Sequence, residues 1–291
     1  MITAFCMLAE PEILMYPYVE SIRSVSSFAD KVIVRYASAD KSEKNYRHFE
    51  KASYEKLKNL SEELKADGKE LEIVMDSTWT IQKLQNYEEL RSKLQIELEK
   101  ADEWFLKFDA DNVFRSEHAE EIRSLFCDQF EKIIFRRVNV TNKKCVGINM
   151  SSEDIYAINL KELRRKKIEY SIGGKEEWCR AVVHGEHRLK IVEEIEKLPV
   201  NYDATFFTKD RVVNFWRLTE QAYSFSHSRV DRFINMTDEE VLESYVKYRK
   251  GKIGNRINED FQHPNDIRAR IECIPENLWG YNNFGNKIGC L

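Results

Sequence analysis

An α/β fold built on a mostly parallel sheet is the class this sequence predicts, and three observations predict it. Strand-like and helix-like segments alternate through the first half of the chain. The strand segments are short apolar runs. One of them, Trp104, Phe105, Leu106, Lys107 and Phe108, empties directly into Asp109-Ala110-Asp111-Asn112. Such alternation lays helices on both faces of a sheet whose strands are apolar throughout. With 291 residues the chain is long enough for one large domain, or for a main domain with an appendage.

Residues 2–8 read as the first strand. Leu14, Tyr18, Ile22, Val25 and Phe28 then share one face of a helix, and Val32, Ile33 and Val34 form a second strand, which completes a β-α-β opening. Tyr46, Phe49, Leu57, Leu60 and Leu64 predict a second helix that stops near Gly68, ahead of a strand over 71–75. Tyr87, Leu90, Leu94, Leu98 and Ala101 recur at helical spacing and lead into the strand at 104–108. Ser116 is placed to cap the next helix, with Glu117, Glu120 and Glu121 against its dipole.

Further apolar segments lie at 133–135 and 155–158, Gly173 and Gly174 predict a turn, and His184 before Gly185 predicts a helix end. After residue 228 the composition becomes more polar, and Thr237, Asp238, Glu239 and Glu240 form a capping box for a helix. The expected division is a main domain over 1–227 and a mainly helical extension over 228–291.

Charge and cysteine usage exclude several classes. The net charge of −4 gives no global attraction to nucleic acid or to an anionic membrane. The basic runs at 164–167 and 247–252 read as solvated helix ends, while leaving room for peripheral contact with an anionic acceptor. The six cysteines are scattered without a Cys-x-x-Cys pair, so neither a zinc site nor a disulfide framework is expected. His184-Gly185-Glu186-His187 lacks the order of a zinc helix. No apolar run reaches membrane-spanning length and the N-terminus lacks a signal-peptide pattern, so the expectation is a cytoplasmic protein.

The chemistry-bearing feature is the acidic pair. In an extended backbone residues i and i+2 project to one side, so Asp109 and Asp111 are expected to converge while Ala110 turns into the packing. Hard cations such as Mn²⁺ or Mg²⁺ take carboxylate and phosphate oxygens, and use only one or two protein carboxylates when a diphosphate supplies the rest. In open α/β sheets ligands bind beyond the carboxyl ends of the strands, where this pair stands.

Three segments together resemble the GT-A glycosyltransferases, especially the soluble family 2 type. The opening carries Met7-Leu8-Ala9-Glu10, then Ser21-Ile22-Arg23-Ser24, then Ala29-Asp30-Lys31-Val32-Ile33-Val34, with Ser38-Ala39-Asp40-Lys41-Ser42 similar to the turn that follows. Residues 104–112 are similar to the family's Trp-to-Asp-x-Asp segment. Gly173-Gly174-Lys175-Glu176-Glu177-Trp178 resembles the acidic loop beside the acceptor in inverting members.

The resemblance implies a nucleotide-diphosphate sugar donor, a glycan or other hydroxyl acceptor, and an inverting transfer. It further implies Asp109 and Asp111 as metal ligands, Glu10 and Asp109 on the nucleotide, and Glu176 or Glu177 as the base. Arg35 departs from the family pattern, since a carboxylate usually follows the second strand. It is expected to reach base, ribose or phosphate. Asp203 is the expected third metal ligand, with His227 as the alternative. Trp178 and Trp216 are suited either to stacking on a sugar or to core packing. Two rivals remain, a sugar nucleotidyltransferase and a noncatalytic sugar- or protein-binding module of the same fold. Residues 7–13 lack the Gly-rich basic loop that the first would carry.

Overall fold

The computed structural model describes residues 1–9, 17–37, 53–75, 87–140, 146–149, 155–173, 180–184, 188–194, 199–202, 237, 239–240 and 262–272. Three parallel strands open the chain: β1 (Ile2–Ala9), β2 (Lys31–Ala37) and β3 (Glu70–Met75). The helices α1 (Tyr18–Ser26) and α2 (Ser53–Ala66) stand between them in sequence, and α3 (Tyr87–Lys100) leads into β4 (Trp104–Lys107), parallel to β1 on its other side.

Later segments extend this sheet. They are β6 (Lys132–Phe135), β9 (Tyr156–Asn159) and β12 (Ile191–Glu194), which give the order β3-β2-β1-β4-β9-β6-β12. Only β9 runs against its neighbours in this sheet. The mostly parallel sheet expected from the alternation is therefore observed.

Burial explains the sheet's apolar strands. Ala4, Cys6 and Leu8 of β1, Val32, Val34 and Tyr36 of β2, and Trp104 and Leu106 of β4 join one core with Ile22, Val25, Leu57, Leu60 and Leu64 from α1 and α2. The intervening residues Phe5, Ile33 and Phe105 join a second core with Leu94 and Leu98 of α3 and with Leu160 and Leu163 of α5 (Leu160–Arg165). Strand alternation thus feeds two helical layers, and neither face of the central strands meets water.

A smaller sheet is ordered β5-β13-β7-β8, from β5 (Asn112–Val113), β13 (Val200–Asn201), β7 (Arg137–Val140) and β8 (Val146–Asn149). The helix α6 (Asn265–Glu272), from the expected C-terminal extension, packs on it. Its Ile267 and Ile271 share a cluster with Val113, Val138, Val140, Val200 and Tyr202. A hairpin of β10 (Tyr170–Gly173) and β11 (Arg180–Val183) lies beside α3, where Gln95 accepts a hydrogen bond from the Ile172 amide at 2.9 Å.

Local expectations divide. The capping box is present, since Thr237 N–H donates to Glu240 Oε2 at 2.7 Å and Glu240 N–H donates back to Thr237 Oγ1 at 3.3 Å. Ser116, in contrast, does not cap a helix. It opens a 3-10 turn, Ser116–His118, ahead of α4 (Ala119–Ser124). His184 follows a strand rather than a helix, its amide bonded to the Glu169 carbonyl at 2.9 Å and its ring to Ser171 at 2.7 Å. The basic run at 164–167 does end a helix: Arg165 pairs with Glu162 and Lys166 with Glu131.

Two helices close alike. Lys69 N–H bonds Leu64 C=O and Gly68 N–H bonds Lys65 C=O after α2. Ile168 N–H bonds Leu163 C=O and Lys167 N–H bonds Arg164 C=O after α5. The residue at the turn is left-handed in each, Gly68 at φ 72° and Lys167 at φ 56°. A side chain there costs about 1–2 kcal/mol, part of it returned by the smaller chain entropy lost on folding. Lys167→Gly should therefore raise stability by about 0.5–1 kcal/mol, and Gly68→Ala should lower it by about 1 kcal/mol. Urea denaturation of both variants is the check, and shifts of the same sign would contradict this account.

Candidate functional site

β1, β2 and β4 run side by side, so their carboxyl ends open onto one edge of the sheet. Phe108 extends β4 by one ladder bond, donating its amide to Phe5 C=O at 3.1 Å, and is fully buried. The chain then turns. Asn112 N–H bonds Asp109 C=O at 3.0 Å, so residues 109–112 form a β-turn and not the extended segment expected from the sequence. The reason is that Asn112 and Val113 must start β5, which belongs to the smaller sheet. The two carboxylates are consequently brought to one turn in different settings.

Asp109 is the exposed member. Its side chain is 39% accessible, and Lys107 Nζ reaches its Oδ1 at 2.7 Å from the same face of β4. Asp111 is the buried one at 8%, with its Oδ1 accepting from Asn112 Nδ2 at 2.6 Å. Ala110 is buried beneath them, as expected.

α1 holds this turn from the side. Ser21 Oγ donates to Asn112 C=O at 2.6 Å, with Asp109 C=O at 3.3 Å. One helical turn on, Ser24 Oγ accepts from Phe114 N–H at 3.0 Å. Both serines are fully buried. On the other side Tyr202 N–H donates to Asp111 C=O at 2.9 Å, continuing the antiparallel pairing of β13 with β5. The Asn112 and Asp109 carbonyls are thus bonded from α1 and the Asp111 carbonyl from the end of β13.

Arg35 does not stand after the second strand. β2 continues to Ala37, with Arg35 opposite Met7 of β1 and Val74 of β3. Its guanidinium, on the α3 side of the sheet, contacts Glu97 Oε1 at 2.7 Å through Nη2 and 3.3 Å through Nε. The pair is nearly dry, at 11% and 3% accessible, and Lys100 adds a second contact to Glu97 at 3.2 Å. This neutralisation lets a charged residue occupy a central strand.

The remaining expected site residues, Glu10, Glu176, Glu177 and Asp203, lie outside the described residues, as do His227, Trp178 and Trp216. Their connections are nevertheless fixed. Glu10 directly follows the last residue of β1, Glu176 and Glu177 belong to the six-residue connection between β10 and β11, and Asp203 directly follows Tyr202. The hydroxyls of Ser21 and Ser24, Lys107 and the Tyr202 amide were not anticipated as parts of the site. Lys107 left a signal in its i, i+2 spacing from Asp109, and Ser21 and Ser24 lie in a segment that carries the resemblance, which named no role for their hydroxyls.

No protein-family model matches the chain, and no curated protein matches it. Among solved structures, it is similar to Staphylococcus aureus TarS residues 1–349, with a TM-score of 0.43 and 10% identity over 84% of this chain and 80% of that one. A longer TarS chain gives a TM-score of 0.43 and 11% identity over 85% of this chain, which spans 42% of the TarS chain. The 4-diphosphocytidyl-2C-methyl-D-erythritol synthase of Anaerococcus prevotii gives 0.36 and 15% identity, covering 75% of this chain and 96% of that one. No helix among the described residues is long and apolar enough to cross a membrane.

Two substitutions test the supports. Ser21→Ala leaves the buried Asn112 carbonyl without its hydroxyl donor and should cost about 1–3 kcal/mol of stability. Arg35→Leu strands the Glu97 charge in the core, with Lys100 left beside it among the described residues, and should cost about 3 kcal/mol. Adding Glu97→Gln to Arg35→Leu should recover much of that loss. Chemical denaturation of the three variants is the check, and a double variant no more stable than Arg35→Leu would contradict the pairing.

Proposed function

We propose that this chain is a metal-dependent glycosyltransferase, moving a sugar from a nucleotide-diphosphate donor to an acceptor hydroxyl with inversion. The supporting observation is the acidic turn at 109–112, set at the carboxyl end of a buried parallel strand and held by hydrogen bonds from two other elements. This is the edge at which open α/β sheets take nucleotides. A donor set of two carboxylates on one turn suits a hard divalent cation that completes its shell from a diphosphate.

In this proposal Asp111 and Asp109 hold Mn²⁺ or Mg²⁺, Asp203 is the third ligand, and Asp109 also orients the ribose. The antiparallel course of β13 beside Asp111 supports the choice of Asp203, which comes one residue after the Tyr202 amide. Glu10 and Arg35 stand on the nucleoside side. When bound, the cation would neutralise the charge gathering on the departing diphosphate. Glu176 takes the proton from the attacking hydroxyl, with Glu177 the alternative base, while the hydroxyl oxygen bonds the anomeric carbon and the diphosphate leaves from the opposite face.

A nucleoside diphosphate, drawn from a panel of UDP, GDP, CDP and dTDP, should stabilise the protein only with Mn²⁺ or Mg²⁺ present. At a hundred times its dissociation constant it adds about 2.7 kcal/mol, a melting shift of about 5 °C or more. Asp111→Ala should abolish the shift, and equal shifts with and without EDTA would sink the metal bridge. Glu176→Gln should keep donor affinity while slowing transfer about a hundredfold. Normal transfer by Glu176→Gln with loss in Glu177→Gln moves the base by one residue. Pyrophosphate release from a nucleoside triphosphate and a sugar 1-phosphate would instead favour the nucleotidyltransferase.

A further inference from the structure

The segment 262–272 is fastened beside three of the elements that frame the acidic turn, β5, α1 and β13. Arg115, two residues past β5, donates from Nη2 to Gln262 C=O at 2.8 Å, and Glu117 accepts from the Asn265 amide at 3.3 Å. Arg270 pairs with Glu20, the α1 residue next to Ser21, at 2.9 Å. Most directly, the Tyr202 hydroxyl and His263 Nδ1 share a hydrogen bond of 2.9 Å in the buried cluster, their rings 5.9 Å apart.

Tyr202 therefore has two ends with different tasks. Its amide is bonded to the Asp111 carbonyl, and its phenol, wholly buried, is bonded to the residue that introduces α6. β13 has only two residues of ladder on which to hold its register. A strand that short takes much of its position from side-chain packing.

We propose that Tyr202 and His263 are positioning residues for the acidic turn, so that docking of segment 262–272 and binding of a metal–nucleotide at Asp109 and Asp111 are coupled. The inference rests on the donor-site assignment above. Coupling between two sites is reciprocal: if the docked segment raises nucleotide affinity, bound nucleotide must tighten the segment. A purely structural role for the pair would lower stability without linking the two events.

The test uses the full chain with Mn²⁺ and whichever nucleoside diphosphate of the panel binds it. In the unsubstituted protein, bound nucleotide should slow hydrogen exchange of the amides in 265–272, which lie in another element from the acidic turn. Tyr202→Phe keeps the ring and removes only the hydroxyl. It should weaken metal-dependent nucleotide binding about fivefold, the equivalent of one neutral hydrogen bond, and reduce the protection transmitted to 265–272. His263→Ala should do the same, and if it fails to fold Tyr202→Phe alone decides. Unchanged nucleotide affinity in Tyr202→Phe, or exchange in 265–272 that ignores the nucleotide, overturns this proposal while leaving the donor site standing. Failure of every metal–nucleotide to bind the unsubstituted protein overturns both.

Discussion

The hydroxyl of Ser21 donating to the Asn112 carbonyl is the contact on which the arrangement of the site depends. It joins α1, which covers one face of the main sheet, to the point where the chain leaves β4 for the smaller sheet. Without that donor a buried carbonyl at this bend would lose its hydroxyl partner, a cost comparable to a large share of a domain's marginal stability. Ser24 repeats the device on the Phe114 amide, so the bend is held on either side of β5 by hydroxyls one helical turn apart. Small polar residues are required here, because a larger side chain would push the helix off the strand.

Once the bend is held, the two carboxylates acquire separate characters from their surroundings alone. Lys107 is on the same strand face as Asp109 and meets an exposed carboxylate, whereas Asp111 is folded under and meets the Asn112 amide. The same chemical group is thus presented once at the outer side of the turn and once beneath it. The Tyr202 amide completes the frame by drawing the end of β13 alongside, together with the part of the C-terminal segment that packs on it.

The buried ion pair of Arg35 with Glu97 shows how the opposite face of the sheet is reconciled with a charge. β2 is central, flanked by β1 and β3, so Arg35 cannot leave the ladder without breaking two sets of pairings. Its guanidinium is met instead from α3. This couples helix packing to the carboxyl end of β2.

Residue periodicity alone determined the first four strands of the main sheet and the helices between them. Those follow from short-range geometry and burial, which a sequence carries directly. The acidic pair and its place after a buried strand were legible for the same reason. The turn at 109–112, the length of β2 and the strand before His184 were decided only by tertiary structure. Each depends on a partner from another element: Asn112 on β13, Arg35 on Glu97, His184 on Glu169. Ser21 and Asn112 are 91 residues apart, and Tyr202 and His263 are 61 apart. A lone serine in an amphipathic helix, or a lone histidine before a proline, has no local spacing that names such a partner, because the hydrogen bond exists only after the sheet has brought the two segments together.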